Sequence, residues 1–365
     1  MPRTRARRWS LLAFAGLALT LSEAGPSTAD ACGSFRSRRV DPEQTPSLAR
    51  EKVLLVHDSV TRRQHFIREI AFVRAREPFG FVVPTPTRPE VAEVAKTPFT
   101  KLRANFPFAP VARDRSTGAR SGGSKSAGGG VEVLSVEKVG SFTAFVLAAD
   151  DAEALGKWLA DNELVSDEAN DAWLAHYVEL GFYYVAMRYD PPKLDASNEW
   201  DLPSEEVEAE TVRISFATPL PYYPYLEPTR PQTDRVAGPR LLELWYVGAA
   251  PVVPIATRER DGLSAWVQPL KRGLAHADAR SSLARSLEPE LAELLPEGPL
   301  VVQTFQDQKR VRDGFGDVLF AFRGGVPRTP ELDAELEPLL GLLDPALIAA
   351  PPSAEAPAGA QEDSP

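Results

Sequence analysis

Apolar, β-branched-rich runs at residues 52–58 and 65–74, parted by the polar stretch 59–64, predict a strand, a short loop and a second strand. A third strand is predicted at residues 79–83, after the Glu77-Pro78 break. Pro84, Pro86 and Pro89 then remove backbone donors and fix φ, which predicts an extended, polyproline-like path. Residues 91–106 have helical character that Pro98 interrupts. Alternation at residues 131–139 and 142–149 predicts a hairpin turning at Gly140-Ser141.

Two helices follow. Asp150 and Glu153 have the spacing of a capping box, and Leu155, Trp158 and Leu159 supply an apolar stripe running to about Asn162. Ser166 is placed to cap the second helix, in which Ala169, Trp173, Tyr177 and Leu180 share a face and Gly181 stands just past the end. Residues 182–189 are apolar on both alternating faces and predict a strand covered on both sides. Strands at 212–217 and 241–247 flank a Pro- and Tyr-rich crossing at 219–228, preceded by an acidic loop at 198–210. Further on, a helix is expected at 280–295 and strands at 300–305 and 317–322, before two short helical pieces. The Gly/Ser-rich residues 113–130 read as a flexible loop, and residues 351–365 are too polar and Pro-rich to pack, so a disordered tail is expected.

The fold class implied is α+β: a mixed or antiparallel sheet backed by the helices at 151–162 and 167–180. The expected organisation is a signal peptide at 1–31, an α+β domain at 32–250, a C-terminal extension at 251–350 packed on it, and the tail.

Composition narrows the function classes. Hydrophobic residues make up 43% of the 365, enough to bury a sizeable core, and the net charge of -10 disfavours sequence-independent binding to nucleic acid phosphates. Arg3, Arg5, Arg7 and Arg8 precede an eleven-residue apolar run at 11–21, and Ala29-Asp30-Ala31 fits the small-x-small cleavage rule, as does Ser22-Glu23-Ala24. This reads as an export signal and places the protein outside the cytoplasm, in the periplasm, secreted or at the cell surface. The run falls short of the roughly 20 residues that span a bilayer, so no transmembrane span is expected. Cys32 is the single cysteine, which excludes an intramolecular disulfide. A cysteine at the start of the exported chain is also a lipidation candidate, although Ala29 and Asp30 depart from the usual lipoprotein signal.

Candidate chemistry is sparse. The four histidines are His57, His65, His176 and His276, and no pair has the spacing of a zinc helix. A hairpin of the first two strands brings His57 and His65 opposite each other as a two-histidine site, whereas His176 shares the apolar face of Trp173 and reads as a core residue. Lys125-Ser126 follows glycines, but Ser124 stands where a phosphate loop needs Gly. Asp313-Gly314-Phe315-Gly316-Asp317 is either a hairpin turn or an oxygen-ligand metal site using Asp313 and Asp317. Glu205, Glu206, Glu208 and Glu210 read as a solvated face, and no Gly-x-Ser-x-Gly occurs. Tyr222, Tyr223 and Tyr225 offer flat apolar faces with polar edges and, with Pro84, Pro86 and Pro89, are candidates for a peptide- or sugar-binding groove. The simpler reading of the tyrosines is a rigid crossover packed on the sheet.

Four stretches together resemble a known family. They are Ala31-Cys32-Gly33-Ser34-Phe35; Gly80-Phe81-Val82-Val83-Pro84-Thr85-Pro86 with Pro89-Glu90-Val91; Val131-Glu132-Val133-Leu134 through Gly181-Phe182-Tyr183-Tyr184-Val185-Ala186; and Ile214-Ser215-Phe216 with Leu242-Glu243-Leu244-Trp245-Tyr246. In order and spacing the chain resembles the bacterial family catalogued as domain of unknown function 2330, found in predicted exported proteins, over roughly residues 31–250. Members of that pattern often carry a second cysteine shortly after the first, and here Ser37 stands at about that position, which removes an N-terminal disulfide or two-cysteine metal site. The resemblance implies compartment and architecture and adds no catalytic residue or cofactor. The residues and the resemblance lead to one expectation, a non-catalytic binding module of the cell envelope whose partner is an envelope protein or a small ligand. The alternatives are a carboxylate- or divalent-ion-dependent hydrolase and a lipid-anchored structural protein held through Cys32.

Overall fold

The computed structural model describes residues 34–37, 46–73, 78–108, 130–189, 206–228, 241–260, 263–267, 270–308 and 316–323. The expected leader, Cys32, Asp313 and the C-terminal tail lie outside the described residues, as does the Gly/Ser-rich segment except Gly130. In chain order the first strands are β1 (Ser34–Ser37), β2 (Ser47–Asp58), β3 (Arg63–Val73), β4 (Phe79–Thr85), β5 (Glu90–Glu93), β6 (Val131–Val139), β7 (Phe142–Ala149), β8 (Leu164–Val165) and β9 (Tyr183–Tyr189). The later ones are β10 (Glu206–Glu208), β11 (Val212–Ala217), β12 (Tyr222–Tyr223), β13 (Leu241–Gly248), β14 (Val252–Arg260), β15 (Leu263–Val267), β16 (Lys271–His276), β17 (Val301–Asp307) and β18 (Val318–Phe322). The helices are α1 (Phe99–Asn105), α2 (Ala152–Asp161), α3 (Glu168–Glu179), α4 (Arg280–Ser286) and α5 (Pro289–Ala292).

Strands therefore dominate, and they build three mixed or antiparallel sheets, so the expected α+β sheet backed by helices is corrected to a sheet-dominated fold with few helices. The central sheet runs β16-β17-β13-β2-β3-β11-β5, with β10 also on β3. A six-stranded sheet runs β6-β7-β9-β4-β1-β8, and a four-stranded one runs β12-β18-β14-β15. Among the described residues every pairing is antiparallel except that of β2 with β13.

One face of the central sheet, with Phe66, Ile70 and Phe72 on β3, packs on the six-stranded sheet. Phe72 meets Phe79 at 4.5 Å and Phe81 at 5.8 Å between ring centroids. Its other face, with Leu54, Val56, Ile67 and Trp245, is covered by α1, α4 and α5, where Phe99 lies 5.7 Å from Trp245. Strands β2 and β13 thus contribute apolar side chains to both core layers, Val53, Leu55, Leu244 and Tyr246 on one face and Leu54, Val56, Trp245 and Val247 on the other, as expected of strands buried on both sides. On the six-stranded sheet, Trp158 of α2 meets Phe145 of β7 edge-on at 5.2 Å.

Local chemistry sets the helix ends one residue away from the expected positions. Asp151, not Asp150, caps α2 by accepting from Ala154 N, and Asp167, not Ser166, caps α3 by accepting from Asn170 N. Both caps have extended backbone, as a capping residue requires. Gly181 does take the left-handed conformation after α3, at φ +68°. The region expected to be helical from 91 splits at Pro98, which becomes the N-cap of the short α1 behind strand β5. The 280–295 helix likewise divides into α4 and α5, with Pro289 at the first position of α5.

Candidate functional site

The crossing at 219–228 is locked into the core by side chains from three directions. Gln64 of β3 donates from Nε2 to Tyr222 O (2.7 Å) and accepts from Tyr222 N at Oε1 (2.8 Å), so its amide replaces a missing strand neighbour. Tyr222 and Tyr177 hydroxyls donate to Asp317 Oδ2 at 2.7 and 2.8 Å, while Tyr225 N and Leu226 N donate to Oδ1 at 2.8 and 2.9 Å. Tyr223 donates to Glu51 Oε2, whose other oxygen pairs with Arg68 Nε at 2.8 Å, and Tyr225 donates to Asp307 Oδ2. Burial pushes the Asp317 carboxyl up, against these donors, which hold its charge.

This geometry corrects two expectations. Tyr222, Tyr223 and Tyr225 are buried and present no groove; the chain needs their hydroxyls to satisfy carboxylates inside the core. Asp317 is buried just ahead of β18 with all four of its contacts made by protein donors, so it is not an open ligand on a surface turn. The chain is extended at Pro84, which lies within β4 opposite Tyr184, but Pro84, Pro86 and Pro89 are buried, with Thr87 half-buried and Arg88 exposed between them. No cluster of three or more metal-ligating side chains occurs among the described residues.

The two-histidine site does not form either. In the β2–β3 hairpin His57 pairs in register with Gln64, and His65 with Val56, which sends the two rings to opposite faces of the sheet. His57 is fully buried; its Nε2 donates to Thr218 O at 3.0 Å, and burial, opposed by that bond and by Asp58, lowers its pKa to about 4. His65 stands on the other face, where its Nδ1 and Ser215 Oγ share a hydrogen bond at 2.7 Å. Partial burial, with Arg63 and Arg213 nearby, brings its pKa to about 4. His176 is half-buried beside Tyr177.

The surface feature that the sequence reading did not single out is the free edge of β6. This nine-residue strand ends the six-stranded sheet and hydrogen-bonds only to β7 among the described residues. Gly140, at φ +52°, makes the two-residue turn into β7 with the glycine at its first central position. A register shift between Val133 and Ser135 inserts one extra residue, and that bulge is what puts Val133 and Val136 on the same side, opposite Leu147 and Phe145. They are 44% and 53% exposed, in a molecule with few exposed large apolar side chains among its described residues. Glu132 and Glu137 stand on the reverse side, opposite Ala148 and Ala144, and are exposed. Glu93 also reaches this end of the strand, accepting from Gly140 N. Alternating apolar residues were the signal for a strand; that the strand would lie at an edge is decided by partners distant in sequence.

Comparison with known proteins gives a family and little more. A family model described as an uncharacterized protein conserved in bacteria, DUF2330, matches residues 26–226. No curated protein is significantly similar to the chain. Among solved structures, the crystal structure of baculovirus P35 is similar at 8% identity and a TM-score of 0.31, over 76% of this chain and 92% of that one, which is too distant to inform the fold or the function. No helix of the described residues is long and apolar enough to cross a membrane.

Proposed function

The chain belongs to the bacterial DUF2330 family, whose description assigns no activity, and from its own geometry we propose an exported, non-catalytic binding module of the cell envelope that takes up an extended segment of another protein along β6. The observation that carries this reading is the β6 edge, unpaired among the described residues, with Val133 and Val136 exposed on one side. An unpaired strand edge offers a row of backbone donors and acceptors, and side-chain contacts on alternate positions then select the sequence that pairs with it. Export is supported by the N-terminal charge and hydropathy pattern.

The two sides of β6 define the partner. Valines on the side facing α2 favour apolar residues, and Glu132 and Glu137 on the reverse favour basic ones directly across. A partner strand that alternates apolar and basic residues satisfies both sides at once. The same acidic pair disfavours a second copy of β6 in the antiparallel register that opposes Val133 to Val136, because there Glu132 faces Glu137.

A fluorescently labelled peptide of alternating Val and Lys is the test. Saturable binding, lost in the Val133→Lys/Val136→Lys variant and absent for a Val/Glu peptide, is expected. Equal binding of both peptides, or no effect of the double substitution on a folded protein, overturns the reading.

A further inference from the structure

The helix-covered face of the central sheet changes character toward β5. Leu54, Val56 and Ile67 lie under the helices, but beyond them the same face carries a polar row. Register fixes its members: His65 on β3 is opposite Ser215 on β11, which is opposite Glu90 on β5, and Arg213 stands two residues before Ser215 on the same side. Arg63 is two residues before His65 and is ion-paired with Glu90 at 2.6 Å.

Asp58 stands opposite Arg63 in register, so the face holds two cations, Arg63 and Arg213, and two carboxylates, Glu90 and Asp58, yet neither carboxylate pairs with Arg213. Glu90 is engaged by Arg63, and Asp58, the other carboxylate that acts on His65, accepts from Val60 N and Thr61 Oγ within its own turn. The side chain of Arg213 is half-buried and makes no ion pair or hydrogen bond with any described residue, and its Nε is shielded from solvent without a partner. A shielded guanidinium nitrogen without an acceptor is costly, and the cost is relieved by any oxyanion that reaches it. His65 supplies a second donor. In the tautomer in which Ser215 Oγ–H donates to Nδ1, Nε2 carries the other ring proton, and Nε2 has no partner among the described residues. Ser215 is buried, so its hydroxyl serves to orient the imidazole and is not placed to attack a substrate.

We propose that Arg213 and His65, oriented by Ser215 and flanked by Arg63, form a binding site for a small oxyanion, a carboxylate or phosphate group. The planar guanidinium accepts such a group in a two-point contact, and the imidazole N–H gives a third. This site is independent of the β6 edge and lies on a different sheet. An anion here favours the protonated imidazole, so binding and the proton affinity of His65 rise together.

The test is NMR titration of the histidine ring signals in the full chain with inorganic phosphate and, separately, with acetate. A saturable shift of the His65 signals with a rise of its pKa by at least one unit is expected for one of the two anions, and which one responds identifies the class. Arg213→Gln weakens that response at least tenfold while the signals of buried His57, on the opposite face, stay in place as a check on folding. Ser215→Ala keeps anion binding but loosens it several-fold, because the ring is no longer held. A His65 pKa that neither anion moves, or full anion binding by folded Arg213→Gln, overturns the proposal.

Discussion

Single residues in the core carry consequences far larger than their surface counterparts. Tyr222→Phe removes one donor from buried Asp317, and a hydrogen bond to a charged group is worth about 1.5–3 kcal/mol, so urea unfolding is expected to show a loss of that size with an unchanged m-value. Glu51→Ala takes the carboxylate away from the buried Arg68 guanidinium and leaves Tyr223 without its acceptor there, for an expected loss of about 3–5 kcal/mol. His57 gives a pH signature. Its folded pKa is about 4 against 6.5 unfolded, so the unfolded chain binds the extra proton and stability falls as pH drops from about 6.5 towards 4. For this residue the loss is about 3 kcal/mol; His65 adds to it in the same direction but less, being partly exposed. Equilibrium unfolding measured at several pH values between 4 and 7 checks this, and His57→Gln flattens the profile.

At the scale of elements, clear periodicity carried far and partner-dependent structure did not. β6, β7 and β11 have the bounds that their apolar alternation predicts, because each is long enough to show its pattern. The short strands β1, β8, β10 and β12 went unread, as did β14, β15 and β16, and β5 stands at the start of a stretch expected to be helical. Tyr222–Tyr223 has no pattern of its own; Gln64 and β18 make it a strand. The histidines failed for a related reason: the loop between β2 and β3 does not fix the register, and a one-residue slip exchanges the faces. Caps were legible to within one residue, since Asp150-Asp151 and Ser166-Asp167 each offer two capping side chains in a row. Asp151→Ala is expected to cost about 1 kcal/mol in thermal or urea unfolding. The β6–β7 turn is more sensitive: Gly140→Ala meets both the positive φ and the Glu210 side chain, which a Cβ would approach to 2.3 Å, and loses stability by about 1–2 kcal/mol.

Across the whole molecule, the sheets tie together stretches that the sequence pattern separates at residue 250. β13 bonds to β2 on one side and to β17 on the other, and Asp307 and Asp317 reach back to tyrosines of the 219–228 crossing and α3. The expected result is one cooperative unfolding transition, with far-ultraviolet circular dichroism and tryptophan fluorescence coinciding; two resolved transitions contradict that coupling. Outside this bonded interior, β6 remains as the long edge left unpaired among the described strands, and the binding proposal stands on it. Counting back by alternation from the closing pair Val139–Phe142, the amides of Val136 and Lys138 point away from β7. The most direct test is therefore residue-resolved amide hydrogen exchange of the full chain with and without the Val/Lys peptide. Protection gained at Val136 and Lys138, with the buried β2–β13 ladder unchanged, is the predicted result. Peptide binding that leaves those two amides exchanging as before contradicts strand addition at β6.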